Sequence, residues 1–127
     1  MIAADTNLLA RFLIKDVPEH FQRVNDLLNS GEEGYINPVV LSELYWVLVR
    51  LYEYSKIEFL TTLDALLETE GFVFFDQGVI RRAMADYLNS TADFTDCLIN
   101  QINLDRKLKT FTFDRKAAKL EGMKLLS

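Results

Sequence analysis

KLKTFTFDRKAAKL, residues 107–120, decides how the chain reads. Lys109 to Phe113 is a β-prone run of Thr and Phe that suits a buried strand. Asp114 follows at once, and a helical pattern opens behind it. A strand followed directly by a helix is the repeating unit of a parallel sheet, because parallel strands need a crossover. Two readings of Asp114 stand open. Either it caps the next helix, or it belongs to a group of acids gathered around something positive.

Outward from this stretch the same unit recurs. MIAAD (1–5) is a short apolar run closed by Asp5, and TNLLARFLIKD (6–16) places Leu8, Leu9, Phe12 and Leu13 at helical spacing. Pro18 predicts the first turn of a second helix, with Asp16 as its cap, Phe21, Val24, Leu27 and Leu28 inward, and Gly31 and Gly34 as its stop. GYINP (34–38) is the second strand; Asn37 caps and Pro38 opens a helix to about Leu51, with Leu41, Leu44, Val47, Leu48 and Leu51 on its core face. Ser55 starts a fourth helix and Gly71 stops it. FVFFD (72–76) is the third strand, followed by a helix from about Gly78 to Asn89. TADFTDCLINQINLDRKL (91–108) is another helix, with Phe94, Leu98, Ile102 and Leu104 inward. After the strand at 109–114 come a short helix over RKAAKLEG and a last strand, MKLLS.

Strands alternating with helices imply an α/β fold with a parallel sheet of about five strands, and apolar strands imply helices on both faces, a three-layer sandwich. Ligands in such sheets bind beyond the carboxyl ends of the strands. The 127 residues, half of them hydrophobic, suit one domain, 1–127. No apolar run approaches the roughly 20 residues that cross a bilayer, so no membrane role is expected. The start MIAADTNLLARFLI lacks a basic region and an A-x-A site and reads as folded structure. The lone Cys97 excludes a disulfide within the chain and fits a reducing cytoplasm. Cys97 and His20 do not make a zinc site between them, and His20 in VPEHFQ reads as solvated. The net charge of −5 excludes gripping nucleic acid by bulk charge. It does not exclude a nuclease whose excess acid lies in a metal site.

Asp5, Asp76 and Asp114 each end a strand and precede a helix, so each is a candidate N-cap. Asp93 and Asp96 have capping-box spacing. Glu43 stands in VVLSELYWVL, where a carboxylate at the edge of the core needs a partner and a water-facing one does not. If Asp5, Glu43, Asp96 and Asp114 converge, their repulsion calls for a cation, and oxygen-only ligands select Mg2+ or Mn2+.

At these residues the chain resembles a PIN-domain ribonuclease, and more narrowly a VapC-type toxin of a type II toxin–antitoxin pair. The matching pieces are MIAADTNLL, LSEL around Glu43, ADFTDCLI, and TFTFDRKAAKLEGMKLL, in the family's order along the whole chain. The resemblance puts the acidic quartet on Asp5, Glu43, Asp96 and Asp114. It implies that Asp5, Asp96 and Asp114 mainly ligate Mg2+ or Mn2+ and that Glu43 ligates or positions the water. Asp93, Thr112, Thr6 and Asn7 take supporting places around them. It further implies a PIN-like α/β/α sandwich, endoribonuclease activity on an RNA substrate, a homodimer, and silencing by a cognate antitoxin. Asn100, Gln101 and Asn103 make their helix more polar than is usual for the family, which bears on packing or partner contacts.

Arg106, Lys107, Lys109, Arg115, Lys116 and Lys119 around Asp114, with Arg11 and Lys15 after Asp5, are candidates for phosphate contacts or for an ordinary solvated surface. Tyr45, Trp46, Tyr52 and Tyr54 divide between core packing and a protein interface. Two rival functions remain at this level. A phospho-acceptor signalling domain would use Asp76, but it needs paired acids after the first strand, where this chain has only Asp5. A metal-free partner-binding module would have no need of the quartet.

Overall fold

Caps and prolines start most of the helices where the sequence predicts them. The computed structural model describes residues 1–126, which cluster into two compact units, Met1–Phe75 and a second that begins at Asp76. In the first unit the order is β1 (Ile2–Ala3), α1 (Thr6–Ile14), α2 (Pro18–Asn29), β2 (Gly34–Ile36), α3 (Pro38–Trp46), α4 (Lys56–Leu67) and β3 (Phe72–Phe74). The strands form a parallel sheet in the order β1-β2-β3, with Ile2 opposite Gly34 and Ile36 opposite Phe74. Leu9, Ile36, Leu41, Leu44, Leu48, Phe59, Leu63 and Leu66 are buried, and Phe59 meets Tyr45 edge to face at 5.0 Å.

Ser55 begins α4 with a full capping box. Its hydroxyl accepts the Glu58 N–H at 3.1 Å, and the Glu58 carboxylate accepts the Ser55 N–H at 2.9 Å. That backbone bond holds the Glu58 carboxyl below its ordinary pKa. Ser55→Ala should lower stability by about 1 kcal/mol in urea unfolding, the usual loss for an N-cap hydroxyl; an unchanged midpoint would mean that α4 does not depend on its cap.

The second unit holds α5 (Gln77–Leu88), α6 (Phe94–Asp105), β4 (Thr110–Thr112), a short 3-10 turn (Ala117–Lys119) and β5 (Met123–Leu125). β4 and β5 pair in parallel, Thr110 opposite Met123. Helices α5 and α6 pack through Ile80, Ala83, Phe94 and Cys97, all buried. Gln101 ties the pair with polar bonds: its Oε1 accepts from Arg82 Nε at 3.2 Å and its Nε2 donates to Asp86 Oδ2 at 2.7 Å.

Three expectations are corrected. Asp16 does not cap α2, whose N-cap is Val17 with no side-chain bond; its carboxylate instead takes the Arg11 guanidinium at 2.9 and 3.0 Å. The third helix does not run to Leu51 as a regular α-helix. From Val47 it widens, the Tyr52 N–H donating to the Val47 carbonyl five residues back at 3.3 Å. A wider turn shifts the helical phase, so Leu51 leaves the core face and is 75% exposed. β4 is not a buried strand. Thr110 and Thr112 share one face by the two-residue alternation, and Thr110 bonds to α6 through Asn103. Phe111 therefore turns away and is 60% exposed, and Phe113 beyond it is 79% exposed.

Candidate functional site

In the first unit Asp5 follows β1 and caps α1, its Oδ1 accepting the Leu8 N–H at 2.8 Å. Thr6 and Asn7 form the first turn of that helix. Ala4 extends the pairing to β2 by donating to the Tyr35 carbonyl at 2.9 Å, which fixes where Asp5 begins. Asn37 ends β2 in the same way and caps α3 through the Val40 N–H at 3.0 Å. Two adjacent parallel strands thus deliver Asp5 and Asn37 just beyond their carboxyl ends. Glu43 lies on α3 and is exposed, so its charge is solvated and not held at the core edge. Thr6, Asn7, Ala10 and Arg11 line a groove of about 300 Å³ with Val47, Leu51 and Tyr52.

In the second unit Asp93 caps α6, its Oδ1 accepting the Asp96 N–H at 2.7 Å. Asp96 therefore occupies the third position of the helix, half-buried and beside the acid that caps it. Asp114 follows β4. Its Oδ1 accepts the N–H groups of Lys116 and Ala117 at 2.8 and 3.0 Å, and its own N–H donates to Thr112 Oγ1 at 3.0 Å. The hydroxyl of Thr112 is thus what fixes the backbone of Asp114.

Asp93, Asp96 and Asp114 act on one another. Burial pushes the Asp96 carboxyl up to about 6, and the negative charges of Asp93 and Asp114 add to the shift, as does a hydrogen bond to Asp93. Asp96 thus holds its proton to a higher pH than an ordinary carboxyl, because burial and its neighbours' charges act in the same direction. Among the described residues, no group of three or more His, Cys, Asp or Glu is gathered tightly enough to hold a metal ion as it stands. The chemistry of the donor set, oxygen only, nonetheless suits a hard divalent ion.

Other groups serve packing. Asp76 caps α5 through the Val79 N–H at 3.1 Å, as expected. Cys97 is fully buried and its thiol is pushed up to about 12 by that burial, which makes it inert. His20 is exposed. Among the described residues, no helix is long and apolar enough to cross a membrane. What the reading of the residues missed is the polar face of α6. Asn100 Nδ2 donates to the Glu121 carbonyl at 2.9 Å, and Asn103 Nδ2 to Thr110 Oγ1 at 2.8 Å. The signal was the spacing 96, 100, 103, one stripe of a helix.

The PIN-domain family model matches residues 2–123. No curated protein matches the chain.

Proposed function

The chain belongs to the PIN-domain family, whose fold is the α/β sandwich expected above and whose members are generally nucleases that use divalent metal ions, and from that premise we propose that it is a Mg2+- or Mn2+-dependent endoribonuclease, the toxin of a toxin–antitoxin pair. One observation supports the reading: Asp96, half-buried at the third position of α6 beside its cap Asp93, has its carboxyl raised by burial first and then by the charges of Asp93 and Asp114, so three acids act on one another at one end of the helix.

On this reading Asp96 and Asp114 would hold the ion, the family pattern would add Asp5 as a further ligand, and Glu43 would ligate or position the water. Asp93, Thr112, Thr6 and Asn7 support them. A divalent ion bound there supplies a water of lowered pKa and offsets charge on the leaving oxygen. Hydrolysis would form a bond from a water oxygen to phosphorus and break the P–O3′ bond, the leaving 3′-oxygen taking a proton, so that the products carry a 5′-phosphate and a 3′-hydroxyl. Lysines and arginines around Asp114, among them Arg115, Lys116 and Lys119, are exposed and suit the flanking phosphates. The reading includes a homodimer and an antitoxin that covers the site. The exposed Leu51 and Tyr52 beside the groove at Thr6 and Asn7 support a protein partner. A buried thiol and an RNA substrate fit the cytoplasm.

Asp5→Asn tests it cleanly. Asn caps a helix as well as Asp does, so the bond to the Leu8 N–H survives while a charged ligand is lost. Cleavage of single-stranded RNA in Mn2+ should fall at least about a hundredfold, with an unmoved unfolding midpoint and relief of growth arrest on expression. Undiminished cleavage by the variant would end the metal-nuclease reading.

A further inference from the structure

The two asparagines of α6 have no part in the reading above, yet their bonds lead to the acid that ends β4. Asn103 Nδ2 donates to Thr110 Oγ1 at 2.8 Å, which fixes the first residue of β4. Asn100 Nδ2 donates to the Glu121 carbonyl at 2.9 Å, which fixes the turn before β5. That turn holds β4 as well, because the Thr110 N–H donates to the Gly122 carbonyl at 3.2 Å. Two residues on, Thr112 Oγ1 accepts the Asp114 N–H at 3.0 Å, and the Thr112 carbonyl accepts from Leu126 at 2.8 Å. Asp96, Asn100 and Asn103 lie on one stripe of α6. The helix thus carries one acid itself and grips the strand that delivers the other.

The asparagine at 100 is expensive as a packing residue. It is fully buried, and its Oδ1 accepts no hydrogen bond. An orphaned buried acceptor costs on the order of 1–3 kcal/mol, and a leucine of similar size would avoid it. What the amide supplies and leucine does not is a directed bond to the β5 turn.

We infer that Asn100 and Asn103 are positioning residues of the metal site, setting Asp114 against Asp96 through β4 and its turn. This rests on the metal-nuclease reading. β4 is only three residues long and its Phe111 faces solvent, so apolar packing alone fixes its position weakly. Directed bonds from the helix that bears Asp96 remove that freedom, and a ligand pair held in advance binds an ion with less reorganisation.

The experiment is titration calorimetry of Mn2+ alone into the full chain, with melting in EDTA alongside. Thr110→Val and Asn103→Leu each delete one side of the same bond with little change in volume. Each should weaken Mn2+ binding at least about tenfold, and the double variant should be no weaker than either single one, since only one bond is lost. Thr110→Ser keeps the hydroxyl and should bind as the wild type does. Asn100→Leu should weaken Mn2+ binding while holding its melting temperature in EDTA, because an orphaned acceptor leaves with the bond. If the wild type binds Mn2+ and Thr110→Val binds it equally well, the positioning role is wrong and the nuclease reading stands. If the wild type binds no Mn2+, the metal site itself falls and this role with it. A variant that loses binding only in proportion to a lower melting temperature counts against positioning.

Discussion

Asp96→Asn should melt at a higher temperature than the wild-type chain in EDTA at pH 8 and yet cleave RNA at least about a hundredfold more slowly in Mn2+. The two halves have one cause. The Asp96 carboxyl is raised from 3.8 to about 6 by burial first, then by Asp93 and Asp114. A carboxyl raised by folding stabilises the folded state below its unfolded pKa, and that contribution is lost as the pH rises through about 6. At pH 8 the folded wild type therefore carries a charge it would hold more comfortably unfolded. Asparagine is neutral at every pH, and its amide can donate to Asp93 where the protonated acid does. Because Asp96 is only half-buried, solvent and salt screening reduce the gain to about 1 kcal/mol, a few degrees in midpoint. At pH 3 the difference should vanish, since both forms are then uncharged. In millimolar Mg2+ the order should reverse, because only the wild type gains binding free energy in the folded state. A variant that melts lower at pH 8 in EDTA would show that the Asp96 charge is favourable without a cation, and the cation-site argument would lose its basis.

Much of the fold was legible because punctuation in the sequence is local. Asn37-Pro38, Ser55 with Glu58, and Asp76 before α5 announce helix starts through bonds that reach only three residues. The parallel pairing of β1, β2 and β3 follows from the helices between them. What was illegible depended on the third dimension. The widened turn after Trp46 leaves no mark in the apolar spacing, so Leu51 reads as core and proves exposed. The phenylalanines of β4 read as buried by hydrophobicity, but strand alternation had to choose between the Thr face and the Phe face, and the choice fell to Asn103 on α6. Asn100 and Gln101 stood out in the sequence only as unusual polarity with a bearing on packing or partner contacts; both are buried, one against the β5 turn and one between Arg82 and Asp86.

The acids carry a different lesson. Capping and metal ligation stood as rival accounts of Asp5, Asp93 and Asp114, and each of the three does cap a helix or turn. The accounts are compatible. A cap uses one carboxylate oxygen and leaves the other free, and it pins the side chain while doing so. In Asp5 and Asp114 the same Oδ1 that closes the turn fixes where Oδ2 points. A cap at the end of a parallel strand is therefore a way to hold a ligand still. This is why Asn, which caps and does not bind a hard cation well, separates the two roles at every one of these positions.

Gly122→Ala should be strongly destabilising. Gly122 has φ +105°, where side chains are strained, and a Cβ built there would lie 2.7 Å from Leu104 Cδ1 and 2.8 Å from Asn100 Oδ1. Backbone strain contributes about 1–3 kcal/mol and overpacking about 1–3 kcal/mol more. We expect a total loss of about 2–6 kcal/mol in urea unfolding. Gly31→Ala separates the two contributions. Gly31 has φ +89° but nothing within 4 Å of the added carbon, so it should show the strain alone and lose roughly half as much. The clash also has a direction. Leu104 can rotate, whereas Asn100 is tied to the Glu121 carbonyl and fully buried, so the turn must withdraw from α6. Withdrawal carries the Gly122 carbonyl away from the Thr110 N–H, and with it the start of β4. Mn2+ affinity should therefore fall in Gly122→Ala and hold in Gly31→Ala at matched temperature below each midpoint. Equal losses of stability in the two glycine variants would mean that the close approach of α6 to the β5 turn is slack, and a slack contact cannot aim Asp114.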